Sequence, residues 1–152
     1  MKCIRQAEPR DASRIAEILI FTKRVQYYHI FQDPEYSFGE MQVVPLAMRY
    51  QTEKDLLAKT WVYDDGIIKG VLEAAEGEVK TLYVEPVFQG EGIGSALLQF
   101  AVEQRGAKEL WALEKNTRAV AFYAAHGFRP TGEWKFEEGT TEHLIKMGKS
   151  TL

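Results

Sequence analysis

The chain has 152 residues, 45% of them hydrophobic and 27% charged, an ordinary balance for one soluble domain with a core of its own. Its net charge of −3 argues against a nucleic-acid-binding surface, which is usually basic. The single cysteine, Cys3, has no partner for an internal disulfide and fits a reducing cytosol.

The opening run Met1-Lys2-Cys3-Ile4-Arg5-Gln6 lacks the apolar stretch of a signal peptide, and no run is long and apolar enough to span a bilayer. The expectation is a cytoplasmic protein, monomeric or a small oligomer, with no membrane partner. Neither repeats nor a Gly/Ser/Pro-rich linker divide the chain, so residues 1–152 are read as one domain.

In chain order, residues 2–7 read as a strand. Asp11 is placed to cap a helix carrying Ile15, Ile18 and Leu19 at helical spacing. Residues 22–59 hold an aromatic cluster (Tyr27, Tyr28, Phe31, Tyr36, Phe38) and Pro45, and suggest one or two short helices joined by loop. Segments 60–64 and 67–74 read as strands joined at Asp65-Gly66, a hairpin signal. A second hairpin through Gly77 leads into a strand over 78–84. Ile93, Ala96, Leu97, Phe100 and Ala101 then mark an amphipathic helix that Gly106 ends. Residues 109–113 form a strand, Asn116 caps a helix running to about Ala125, and strands near 128–137 and 141–147 follow. The order predicts an α+β fold, a mixed and mostly antiparallel sheet of six to seven strands with helices on both faces. Strands 78–84 and 109–113 should be parallel neighbours joined by a right-handed crossover.

The most informative stretch is Leu82-Tyr83-Val84-Glu85-Pro86-Val87-Phe88-Gln89-Gly90-Glu91-Gly92-Ile93-Gly94-Ser95. A strand enters a glycine-rich turn that opens a helix, where backbone N–H groups lack partners and the helix dipole is positive. That is an anion site, suited to a phosphate or pyrophosphate. A P-loop requires a lysine after its last glycine, and none follows Gly94. A dinucleotide fingerprint starting at Gly90 and Gly92 requires a third glycine where Ser95 stands. What remains is Q-x-x-G-x-G, with Gln89, Gly92 and Gly94 in place.

The run LYVEPVFQGEGIGSALL resembles the acetyl-CoA-binding signature of the GNAT superfamily of N-acetyltransferases. The later run Asn116-Thr117-Arg118-Ala119-Val120-Ala121-Phe122-Tyr123-Ala124-Ala125-His126-Gly127-Phe128 is similar to that family's second motif, N-x-x-A-x-x-F-Y-x-x-x-G-F. The resemblance is tight over about 78–128 and extends elsewhere only through element order. It implies transfer of an acetyl group from acetyl-CoA, as cosubstrate, to an amine-bearing acceptor. The coenzyme's pantetheine arm would pair with the backbone of Leu82, Tyr83 and Val84. Its pyrophosphate would meet the N–H groups of Gln89, Gly90, Glu91, Gly92, Ile93, Gly94 and Ser95, with Asn116 free to cap its helix and also touch the pantetheine.

Attack by an amine needs a base, since a lysine-like ammonium has a pKa of about 10.4. Glu78 occupies a position where some family members carry a catalytic glutamate; a solvated hairpin residue is the alternative, and Glu73 is its rival. Tyr123 matches the family's acid beside the thioester sulfur, and packing in the core is its alternative. The resemblance puts the acceptor beside the aromatic cluster, with Trp134 a further candidate. Those aromatics read equally as packing, and no residue identifies the amine. Dimers are common in the resembled family. His29, His126 and His143 have no ligand spacing, and no metal is expected. A non-catalytic acyl-CoA-binding or sensing domain, and an ATP or NAD module using residues 89–95, are the competing readings.

Overall fold

The computed structural model describes residues 3–149; Lys2, counted in the first expected strand, lies outside them. Strand β1 (Ile4–Gln6) leads through a short turn into helix α1 (Ala12–Phe31), followed by a π-helical segment (Glu35–Glu40), α2 (Val43–Thr52) and α3 (Lys54–Ala58). Next come β2 (Thr60–Asp64), β3 (Ile68–Ala75), β4 (Glu78–Val84), α4 (Ile93–Arg105), β5 (Glu109–Leu113), α5 (Thr117–Ala125), β6 (Phe128–Phe136) and β7 (His143–Lys149). Among the described residues, no helix is long and apolar enough to cross a membrane.

The first helix is longer than its hydrophobic spacing suggested, since it runs through the aromatic stretch to Phe31 and ends with Gln32 in the left-handed conformation. Asp11 does not cap it. Its buried carboxylate instead accepts the backbone N–H of Glu8 at 2.8 Å and a two-pronged contact from the Arg5 guanidinium at 2.8 and 2.9 Å. Burial alone would raise its pKa, but those donors hold it below the usual aspartate value. Pro45 falls in the first turn of α2, where its missing N–H costs nothing. Arg24 of α1 fixes the π-helical segment by donating to the carbonyls of Ser37 and Met41, both at 2.9 Å.

The seven strands form one mixed sheet in the order β1-β2-β3-β4-β5-β7-β6. All neighbours are antiparallel except β4 and β5. Two cores flank it. One, with Ile15, Ile18, Leu57 and Val71, joins α1 to α3 to one face; the other, with Leu72, Leu97, Leu98, Leu110 and Phe128, packs α4 and α5 on the opposite face.

Two irregularities position the site. Lys80 is an extra residue in β4: Glu73 of β3 faces Thr81, while the adjacent Ala74 faces Val79. Such a bulge re-aims the strand and increases its twist. It also breaks strict alternation. Val79 shares the α4 core with Leu82 and Val84, so Glu78 does not share their face. Beyond the bulge, β4 and β5 part. They pair only at Glu78–Glu109 and Val79–Leu110, leaving the β5-facing edge of Thr81–Val84 without a neighbouring strand.

Helix α4 lies close to β3 because Gly70 has no side chain. A Cβ there would stand 2.8 Å from Leu97 Cδ1, 3.2 Å from Ile93 Cγ2 and 3.3 Å from the Tyr83 carbonyl. Leu97 and Ile93 are themselves buried and have little room to withdraw. Gly70→Ala is therefore expected to lower stability by about 1–3 kcal/mol, measured by urea denaturation.

Candidate active site

The gap between β4 and β5 opens into two cavities. The larger, about 830 Å³, runs from the splayed edge of β4 to the start of α4 and is flanked by α5. The smaller, about 290 Å³, lies between α1, the π-helical segment and the diverging strands. Leu82, Tyr83, Asn116, Ala119 and Tyr123 line both, so the two meet at these side chains.

At the start of α4, Gly90 and Gly92 have φ of 85° and 83°, and a Cβ on either would meet nothing within 4 Å. Both need the left-handed conformation that glycine adopts freely. Among the described residues, no backbone or side-chain group accepts the N–H groups of Gly90, Glu91, Gly92, Ile93, Gly94 or Ser95. The first backbone bond of the helix is Ala96 N–H to the Gly92 carbonyl, 3.0 Å. Six successive free donors at a helix N-terminus, beside an open cleft, match a diphosphate in charge and hydrogen bonding.

Side chains shape this cradle more than they line it. The Gln89 amide donates to the Val84 carbonyl at 3.0 Å and fixes the turn. The Ile93 side chain is buried beneath the helix. Glu91 is exposed and does not line the cleft. Ser95 lies 3.1 Å from His126 Nε2, while His126 Nδ1 faces the Phe122 carbonyl at 2.9 Å. The carbonyl requires the proton on Nδ1, so in the neutral ring Nε2 accepts the Ser95 hydroxyl. This contact ties the end of α5 to the start of α4. Lys115 and Arg118 add cationic edges to the cleft; Lys115 directly precedes the second motif and Arg118 fills one of its unspecified positions.

At the junction, Asn116 Oδ1 accepts the Ala119 N–H at 3.2 Å, capping α5. Tyr27 and Tyr83 meet at a ring separation of 6.1 Å. Burial is the main cause raising the pKa of Tyr27, Tyr83 and Tyr123 above the ordinary tyrosine value. Tyr123 therefore keeps its proton at neutral pH.

The carboxylates fall differently from the sequence expectation. Glu78 sits where β4 still pairs with β5 and lines neither cavity. Glu73 is engaged by Lys59 at 3.8 Å and the Thr81 hydroxyl at 3.5 Å, and lines neither cavity. Glu137, just beyond β6, is the carboxylate that lines the smaller cavity. The aromatic cluster divides. Tyr27, Phe31 and Tyr36 wall the smaller cavity, while Tyr28 and Phe38 are exposed and pack on each other; Trp134 stacks on His143 across the β6–β7 hairpin and lines neither cavity.

Residues 57–130 match the acetyltransferase (GNAT) domain family. The chain is 43% identical over 58 residues to an uncharacterised N-acetyltransferase of Archaeoglobus fulgidus, covering 35% of this chain and 40% of that protein. Its identity to the peptidyl-lysine N-acetyltransferase YiaC of Escherichia coli is 34% over 73 residues, covering 47% of this chain and 50% of that one. The chain thus spans half or less of the length of these relatives. Over nearly the whole fold it superposes on the PaiA N-acetyltransferase of Thermoplasma acidophilum, solved in complex with coenzyme A, with a TM-score of 0.69, 20% identity and coverage of 97% and 98%. Residues 57–130 thus carry the sequence pattern of the acetyltransferase (GNAT) domain family, and the chain has the fold of the N-acetyltransferase on which it superposes.

In this GNAT fold the glycine turn and the tyrosine cluster carry separate tests. Gly92→Ala is expected to cost about 1–2 kcal/mol through its left-handed backbone, whereas Gly94→Ala, with helical φ and an ordinary 3.4 Å contact to Phe122, should change stability far less; paired thermal melts compare them. Tyr27, Tyr83 and Tyr123 have folded pKa values raised above the unfolded value of about 10. Their stabilising contribution is thus complete below that pH and lost as pH rises through the folded values. Denaturation across the alkaline range, followed with phenolate absorbance, should show phenolate appearing together with unfolding.

Proposed function

We propose that the chain is an N-acetyltransferase, taking acetyl-CoA in the larger cavity and a primary amine in the smaller one. The observation that carries this reading is the meeting of the two cavities at Tyr123, where β4 has lost its strand partner. The free N–H groups of residues 90–95 would hold the pyrophosphate, with Arg118 and Lys115 beside it. The unpaired edge of Leu82, Tyr83 and Val84 would take the pantetheine arm as an added strand, bringing the thioester to the junction. The match to YiaC favours an amine acceptor in general terms.

The amine nitrogen attacks the thioester carbonyl, forming the C–N bond, and the tetrahedral adduct collapses with cleavage of C–S. The amine proton passes to a base and the departing sulfur receives one from an acid. Tyr123, protonated at neutral pH and shared by both cavities, is the proposed acid. A free thiol has a pKa near 8.5, so the acid assists a leaving group that is already competent. For the base we favour Glu137 over Glu78, because Glu137 lines the acceptor cavity and Glu78 lines neither.

Melting curves with acetyl-CoA, CoA, ATP and NAD test the donor site. Stabilisation of about 2.7 kcal/mol is expected at a hundredfold excess over Kd for the first two ligands alone; stabilisation by ATP or NAD instead would refute the reading. Thiol release with an amine panel then tests catalysis. Tyr123→Phe should lower kcat by about 10²-fold with little change in CoA affinity. Glu137→Gln should lower kcat/KM by about 10²-fold with little change in acetyl-CoA affinity, whereas Glu78→Gln should leave kcat/KM near its starting value.

A further inference from the structure

We infer that the acceptor is a small amine that also bears a carboxylate, an amino-acid-like molecule whose anionic group is held by Lys23. This rests on the proposed acetyl transfer and names its substrate class. Lys23 comes from the middle of α1 and lines the smaller cavity, its ammonium 6.0 Å from the centroid of the Tyr83 ring. Among the described residues, no carboxylate lies within ion-pairing distance of it and no hydrogen bond accepts its protons. Removal from water pushes its pKa below the ordinary lysine value, with Glu137 and Glu73 opposing only in part. A cation held in a cavity without a partner is costly to the fold. Glu73 is occupied by Lys59 and Thr81, so it does not neutralise Lys23.

The cavity's remaining features agree with this. At about 290 Å³ it lies at the lower end of small-molecule sites, which suits a compact molecule. Its walls of Tyr27, Phe31 and Tyr36 would cover the acceptor's carbon skeleton. Glu137 offers the opposite charge in the same space, giving the pocket one group for an amine and one for an anion. A peptide lysine brings an amine on an apolar stem and no counter-ion for Lys23. Its amine alone would leave the half-buried Lys23 cation unpaired.

The test is thiol release from acetyl-CoA with free α- and β-amino acids, their carboxamides, the decarboxylated amines and a lysine-containing peptide, while acetyl-CoA binding is measured on the same preparation. At least one carboxylate-bearing amine should be acetylated, with kcat/KM at least about tenfold above its carboxamide and decarboxylated counterparts. In Lys23→Met that ratio should fall toward one, Lys23→Arg should restore part of it, and the melting temperature of Lys23→Met should rise by about 2–4 °C. A merely structural lysine would not move the carboxylate-to-amide ratio. Equal use of both partners, preference for the peptide, or no acetylation of any carboxylate-bearing amine while acetyl-CoA still binds overturns this inference alone. Failure to bind acetyl-CoA overturns the reading beneath it as well.

Discussion

Glu78 and Val79 pair with Glu109 and Leu110, and from there β4 and β5 separate. The bulge at Lys80 stands where they part. Backbone groups withheld from a ladder must find partners elsewhere, so the separation creates a demand for hydrogen bonds as well as a space. The free N–H groups before α4 repeat this on the other side of the same cleft. Most of what the larger cavity offers is therefore main chain, which explains why glycines dominate its sequence signature.

A few specific contacts keep this opening in shape. Gly70 lets α4 settle against β3, so the helix N-terminus stays beside the splayed edge. The His126–Ser95 contact braces α5 against α4, and the Asn116 cap starts α5 beside the point where the cavities join. Arg24 holds the π-helical segment through two carbonyls, closing the far wall of the smaller cavity. All but the local Asn116 cap join residues in different segments of the chain, so the site is built from several elements at once.

How far the sequence could be read depended on the range of the signal. Strand 78–84, strand 109–113, the helix ending at Gly106 and the cap at Asn116 are local patterns, and the structure has them at those positions. Gln89 and the glycines were legible for the same reason. The face of Glu78 was not legible, because a single extra residue in β4 reverses the faces of everything before it, and a bulge has no strong sequence mark. Asp11 looked like a cap because its chemistry suits one, but Arg5 and the Glu8 N–H claim its carboxylate. Lys23 and Glu137 were invisible as a pair. One is an ordinary polar residue in a helix and the other follows a strand more than a hundred residues later, and only the closed fold puts them in one cavity.

A sheet joined at its middle by two residue pairs is also a pivot. On one side stand β1 to β4, and on the other β5, β7 and β6, each knitted by antiparallel ladders. Widening the gap between them breaks no ladder bonds above the pivot, because none cross it. Above the pivot the angle of the V is therefore held by the shared core and not by a ladder, and an extended molecule lying in the gap would act as a splint across it.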